Sequence, residues 1–226
     1  MTSGGGKVAL VTGGGRRIGA AISCSLGKAG YEVVLTYRSS RRQAEALARE
    51  IGGTAVSLDL SRPASFRRFA ERFRKSRGRL DLLVQNAAVF PRTPFDTLTS
   101  AEWNDVFGVN VRGPALLTRA FLPLLRDTPG AGIVFLGDAN AGSLWPGYLP
   151  YCLSKLALGR LAESLGKILP PAIRVGLVRP GFALAPQGFP RQRWERLRAR
   201  GRRGIRSPEG VARAVLRFAK GGVYNS

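Results

Sequence analysis

The chain contains no histidine, so imidazole-based catalytic triads are excluded and any proton transfer must use another side chain. Acids are also scarce: 14 Asp and Glu stand against 36 Lys and Arg, a formal net charge of +22. There are two cysteines, Cys24 and Cys152, with neither CxxC nor metal-like spacing. They read as reduced thiols in a reducing compartment, neither of them catalytic, and no metal site is expected. No apolar run approaches the ~18 residues needed to cross a bilayer. The opening "MTSGGGKVALVTGG" lacks the long apolar segment and cleavage site of a signal peptide, so the expected location is the cytoplasm.

The 226 residues, 44% hydrophobic and 22% charged, suit one compact domain over 1–226 with a full core. A charge of +22 attracts polyanions at long range, so a non-catalytic, basic nucleic-acid-binding protein is the alternative from another class. The arginines, however, are scattered through amphipathic patterns such as "RRQAEALARE" and "FRRFAERFRKSRGR", where solvated helix faces account for them. Nucleic acid is therefore not the expected partner.

Apolar, strand-like runs alternate with helix-like stretches from end to end. The strands read as 7–12, 32–37, 53–59, 80–86, 132–138 and 173–180. They are β-branched or leucine-rich without polar alternation, as strands buried on both faces should be, which predicts a parallel sheet. Helices are expected at 17–29, 41–51, 63–77, 99–126, 148–169, 191–200 and 208–220, several opened by Ser, Thr or Asp. This alternation predicts an α/β, doubly wound parallel sheet with helices on both faces and ligands beyond the carboxyl ends of the strands.

Those ends hold the candidate site. "VALVTGGGRRIG" puts Gly13, Gly14, Gly15 and Gly19 between the first strand and first helix, where a backbone can approach a pyrophosphate and a helix start offers free N–H groups. A purely structural tight turn is the alternative. The second strand ends in Tyr37-Arg38-Ser39-Ser40, with no acid where an NAD-binding protein would hold the ribose hydroxyls. Arg38 with Ser39 or Ser40 can instead bind a 2′-phosphate, which favours NADPH; a plain surface arginine is the other reading. Asp59 can accept from an adenine amino group and Asn86 can line the floor under the adenosine, or each can cap its strand end.

In "GYLPYCLSK", Tyr151 and Lys155 are four residues apart and share a helix face. A nearby ammonium favours the phenolate, so the expected effect is a Tyr151 pKa below the usual value near 10, making the phenol an acid or base without histidine.

With "VTGGGRRIG", "NAA", the Asn110 of "VNVRGP", "YCLSK" and "VRPG" in place, the chain resembles the short-chain dehydrogenase/reductase superfamily along nearly its whole length. The resemblance implies a Rossmann-like fold, an NAD(P)H oxidoreductase, and an oligomer of two or four copies. It assigns cofactor contacts to Gly13, Arg16, Arg17, Ile18, Gly19, Tyr37, Arg38, Ser39, Asp59, Leu60, Asn86, Ala87, Tyr151, Lys155, Pro180 and Gly181. Asn110 is implied to hold a helix kink and a water beside the lysine. Two positions depart from the usual pattern. Asp138, thirteen residues before Tyr151, stands where a serine is usual, since Ser143 comes too late to match, and Arg17 replaces the sixth-place glycine of "TGxxxGxG".

Both departures resemble the pteridine reductases and related dihydrofolate or dihydromonapterin reductases, as do "YRSS" and the Phe90 of "NAAVFPRTPF". That branch implies catalysis by Asp138, Tyr151 and Lys155, with Arg17, Phe90, Asp138 and Tyr151 around a pterin whose ring stacks on Phe90. The alternative substrate is a ketone, including a 3-oxoacyl thioester. The superfamily also implies a further strand beyond "GGVYNS", so the expectation is a sheet without its C-terminal strand, from either a shortened chain or a different assembly.

Overall fold

The computed structural model describes residues 6–143, 145–185, 189–200 and 204–222. Six strands, β1 (Val8–Val11), β2 (Glu32–Tyr37), β3 (Thr54–Ser57), β4 (Leu82–Gln85), β5 (Gly132–Leu136) and β6 (Arg174–Val178), form one parallel sheet in the order β3-β2-β1-β4-β5-β6. The chain leaves β1 toward β2 and β3, then returns past β1 to β4, β5 and β6. The order therefore reverses between β1 and β4, and a crevice opens above their carboxyl ends. Among the described residues β3 and β6 are the sheet edges; Val223–Ser226, the end of "GGVYNS", lie outside them.

The lack of polar alternation follows from burial on both sides. Leu10, Leu83, Ile133 and Phe135 face one core, with Phe66, Phe73, Leu117 and Phe121. Their strand neighbours Ala9, Val11, Leu82, Val84, Val134 and Leu136 face the other, with Ile22, Leu26, Val211 and Val215. The first face is covered by α3 (Phe66–Arg77), α5 (Gly113–Arg126) and α6 (Leu149–Ile168). The second is covered by α1 (Arg17–Lys28), α2 (Arg41–Glu50) and α8 (Pro208–Ala219), with α1 lying on α8. β3 differs: its residues are half-buried or exposed, as an edge strand's can be.

Two expected helices are broken by identifiable causes. The stretch expected as 63–77 begins with a 3₁₀ turn, Pro63–Ser65, before α3. The stretch expected as 99–126 is α4 (Ser100–Phe107), a π-helical turn (Gly108–Arg112) and α5. Thr99 opens α4 with a capping box, accepting from the Glu102 N–H while Glu102 accepts from the Thr99 N–H. Pro114, lacking an N–H, removes a helical bond just past the π turn. Gly113 presses so close that an added Cβ would lie 2.7 Å from the Leu60 carbonyl. The widened turn carries Asn110 into the interior.

In the core Phe69, Phe73 and Phe121 form an aromatic trio, with edge-on centroid separations of 6.3, 5.6 and 5.2 Å. Phe121 is fully buried at its centre. Phe121→Ala is expected to cost ~3–5 kcal/mol of unfolding free energy, read as a lowered urea midpoint; a loss under ~1 kcal/mol would mean the site collapses around the smaller side chain.

Candidate active site

A cleft of about 910 Å³ runs above the strand ends from Arg38 to Tyr151. Of the candidate residues, all but Gly14, Gly15 and Asn110 line it. The glycine turn divides its work. Gly13, at φ +61°, faces the cleft, in a conformation that favours glycine. Gly14 and Gly15 serve packing: an added Cβ would lie 2.7 Å from the Leu35 Cβ in one case and 2.7 Å from the Ala44 Cβ in the other. No side chain caps the start of α1, which leaves its first-turn N–H groups for a ligand.

Arg17 shows why a glycine is usual at its position. It is the non-glycine residue with positive φ, +57°, among the described residues, a conformation that costs an L side chain roughly 1–2 kcal/mol. Its guanidinium lines the cleft but donates to the Ala185 carbonyl in the loop after β6. Partial burial, then the charge of Arg16, holds its pKa below the ordinary value. In this structure Arg17 thus joins the glycine turn to the opposite wall.

The strand-end residues sort themselves similarly. Asn86 donates to the carbonyls of Thr12 (2.8 Å) and Gly13 (3.2 Å), so it caps the strand end while lining the floor. One Asp59 oxygen accepts from the Ser61 N–H at 2.9 Å and its hydroxyl at 2.8 Å, and Arg62 lies 3.8 Å from the other oxygen. Arg38 and Ser39 are exposed on the cleft rim.

At the far end of the cleft Tyr151 donates to Asp138 at 2.8 Å, and the other carboxylate oxygen accepts from the Asn140 N–H at 2.7 Å. The buried Lys155 donates to the Leu136 carbonyl at 2.8 Å, its ammonium 5.9 Å from the centre of the Tyr151 ring. Asn110, 1% exposed, exchanges two hydrogen bonds with the Val89 backbone (2.9 and 3.0 Å) and donates to the Ser154 hydroxyl at 3.0 Å. Ser154 in turn donates to the Tyr151 carbonyl at 2.7 Å. The π turn therefore fastens the Val89-Phe90 loop to the helix bearing Tyr151 and Lys155.

This geometry corrects the expected effect of Lys155. The Tyr151 pKa is held well above its ordinary value of 10, first by burial of the hydroxyl and then by the Asp138 carboxylate. The residue keeps some exposure to the cleft, but the hydroxyl end is enclosed. Burial likewise lowers Lys155 to about 8, against the attraction of Asp138. Asp138 is raised by burial, opposed by its bonds from Asn140 and Tyr151 and by Lys155. The result is a protonated phenol presented to an acceptor.

Sequence reasoning missed the aromatic lining. Phe90 meets the Tyr151 ring edge-on at 4.3 Å and Trp145 at 5.9 Å, and stacks on Tyr148 at 4.4 Å and 17°. Tyr148 thus covers one face of the Phe90 ring. Trp145, Phe182 and Trp194 complete the wall, and Glu102 and Asp105 stand on the α4 side. Trp194, in α7 (Arg191–Arg200), sits in an arginine-rich stretch whose pattern gave no sign of a site.

Buried parallel strands, a glycine turn under a helix start and a phenol beside a lysine define an oxidoreductase. Comparison with known proteins gives the family: residues 7–195 match the short chain dehydrogenases. The chain is 33% identical over 194 residues to the human dehydrogenase/reductase SDR family member 4, covering 83% of this chain and 69% of that one. With a versicolorin reductase of Emericella nidulans it shares 33% over 193 residues, covering 80% and 72%. A crystal structure of a metagenomic short-chain oxidoreductase in complex with NADP superposes with a TM-score of 0.78 at 33% identity, over 94% of this chain and 90% of that one. The chain belongs to the short-chain dehydrogenase/reductase family.

In the cofactor-free protein the Tyr151 phenolate is expected only above pH 10, because burial and Asp138 both oppose it and Lys155, near 8, has by then lost its charge. Ultraviolet difference absorbance between the wild type and Tyr151→Phe isolates this titration. Asp138→Asn should move it down by about one pH unit or more. A wild-type midpoint below 10 would show that the ammonium outweighs the carboxylate.

Proposed function

We propose that this chain is an NADPH-dependent reductase of a pteridine of the dihydropterin or dihydrofolate type. The observation that carries this reading is Asp138, whose two oxygens both accept hydrogen bonds, from Tyr151 and from Asn140. A ketone needs hydrogen-bond donors around its developing oxyanion, which an ionised carboxylate cannot supply. A pterin carries an exocyclic amine and ring N–H groups that donate to such an acceptor.

The residues present fit the cofactor. Gly13 leaves the turn open at the cleft, the uncapped start of α1 offers N–H groups to a pyrophosphate, and Arg38 and Ser39 on the cleft rim would hold a 2′-phosphate. When bound, NADPH supplies a hydride from its nicotinamide ring. Pro180, Gly181, Tyr151 and Lys155, which line the cleft, would hold that ring and its ribose. Phe90, stacked on Tyr148, offers the substrate a stacking face. Tyr151 is protonated at neutral pH and acts as the acid that delivers a proton to the ring nitrogen. Below about pH 8, where it is still charged, Lys155 partly offsets the charge of the phenolate left behind, which would otherwise face Asp138 alone. Asn110 acts at one remove, holding the Phe90 loop against α6.

A second reading, reduction of a ketone or 3-oxoacyl thioester, is favoured by relatives sharing about a third of their residues that are named for other reductions, versicolorin among them. Steady-state kinetics on dihydrobiopterin, dihydrofolate and an acetoacetyl thioester separate the two. The pteridines should be turned over, and Asp138→Ser should lose at least ~10²-fold in pteridine kcat/KM while gaining measurable thioester reduction. A wild type active only on the thioester would overturn the pteridine reading.

Cofactor choice has its own test. Arg38→Ala should weaken NADPH binding by ~1.5–3 kcal/mol, the worth of a hydrogen bond to a charged group, and leave NADH nearly unchanged. Equal losses for both nucleotides, measured by calorimetric titration, would remove Arg38 from the 2′-phosphate site.

A further inference from the structure

Asn140 follows Asp138 by two residues, just before the 3₁₀ turn Ala141–Ser143. It is 6% exposed and lines the cleft together with Asp138 and Tyr151. Both of its backbone groups are taken: the N–H donates to Asp138 at 2.7 Å, and the carbonyl accepts from the Ser143 N–H at 3.0 Å. The residue before it is held as well, since the Ala139 N–H donates at 2.9 Å to the carbonyl of Pro180, another lining residue.

The side-chain amide of Asn140, by contrast, makes no hydrogen bond among the described residues. Among those residues the fully enclosed, unpaired side-chain polar atoms belong to Gln85 and Thr93, so the Asn140 amide reaches accessible space, and the cleft is the space its residue lines. A side-chain amide this far buried is normally bonded, because leaving its donors and acceptor unmet is costly. Set on a fixed backbone beside the reacting phenol, it has the form of a group whose partner is a ligand.

An ionised carboxylate has about four lone-pair sites, and Tyr151 and the Asn140 N–H occupy one on each oxygen of Asp138. The amide of Asn140 adds two N–H donors next to the sites that remain. Acceptor and donor therefore stand side by side at the reacting end, and their complement is an N–H beside a C=O. A ketone or thioester would use the donor alone and bring no proton to Asp138. A ring amide uses both.

We infer that Asn140 is a specificity-determining residue that, with Asp138, reads the amide edge of a cyclic substrate, Asp138 accepting from the ring N–H and Asn140 donating to the adjoining carbonyl. The inference rests on the pteridine reading and deepens it, naming the oxo-bearing edge of the ring as the part recognised.

The test is calorimetric binding to the NADP⁺-saturated enzyme, so turnover is not needed. Quinazolin-4-one and quinazoline are flat bicycles that differ only in the amide edge. Wild type should bind quinazolin-4-one about tenfold more tightly, the scale of one net hydrogen bond. Asn140→Leu, similar in size but without donors, should erase most of that advantage while changing quinazoline and NADP⁺ by less than about twofold. Asn140→Ala repeats the comparison without added bulk, in case leucine disturbs the fold. Pterin should bind wild type and weaken in both variants by the factor seen for quinazolin-4-one.

If pterin does not bind while quinazolin-4-one keeps an advantage that depends on Asn140, the pteridine reading fails and the amide-edge inference stands for another ring amide. The inference is overturned if the amide edge adds no affinity in wild type, absence of binding by both quinazolines included. It is equally overturned if the variants weaken both quinazolines by the same factor, since Asn140 would then only shape the loop.

Discussion

The hydroxyl of Thr12 holds the crevice open at the point where the strand order reverses. Fully buried, it donates to the Val84 carbonyl at 3.2 Å and accepts from the N–H groups of Asn86 at 2.9 Å and Ala87 at 3.0 Å. One donor and two acceptor sites are all that a hydroxyl has. These bonds stitch the carboxyl end of β1 to that of β4 just beyond the sheet ladder. Asn86 completes the seam by donating to the Thr12 and Gly13 carbonyls. With the seam fixed, the glycine turn, the start of α1 and the "NAA" segment keep one spacing. An added Cβ at Gly19 would lie 2.7 Å from the Asn86 amide, so the seam also explains why glycine is required there.

From that seam the electrostatics of the reacting end follow. The segment after β5 brings Asp138 to the end of the cleft where it and the Tyr151 hydroxyl are buried. There the like signs of Asp138 and an ionised Tyr151 repel more strongly than the ammonium of Lys155, turned toward the Leu136 carbonyl, can offset. Asp138, accepting from Tyr151, thus helps keep the phenol protonated. Arg17 adds a second local constraint, a strained backbone whose side chain reaches across to Ala185.

Much of this was legible in the sequence. The six strands fall within the apolar runs because a parallel strand covered on both faces leaves an unbroken hydrophobic string. Gly13 and Gly19 of the glycine turn, Arg38, Asp138, Tyr151 and Lys155 all line one cleft, because each lies at or near a carboxyl end of the same sheet. What misled was the long stretch 99–126. Its periodicity reads as one helix, while Pro114 and the tight approach of Gly113 to Leu60 insert a π turn that periodicity cannot register. The Tyr151-Lys155 spacing also misled, because spacing reports which groups share a face and says nothing of the carboxylate and the burial that decide the pKa.

The sequence by itself determined the β-α alternation, the family and which residue types stand at the strand ends, since strand burial, helix periodicity and motif spacing are local properties of the chain. Only the tertiary structure decided what surrounds those groups. Tyr148 against Phe90, Trp145 against Phe182 and Trp194 against Phe182 are contacts between segments far apart in the chain, joined by the closure of the sheet and its loops. The pKa of Tyr151 belongs to the same category. Desolvation and the field of a neighbouring charge depend on distance and enclosure, which no reading of residues in order contains.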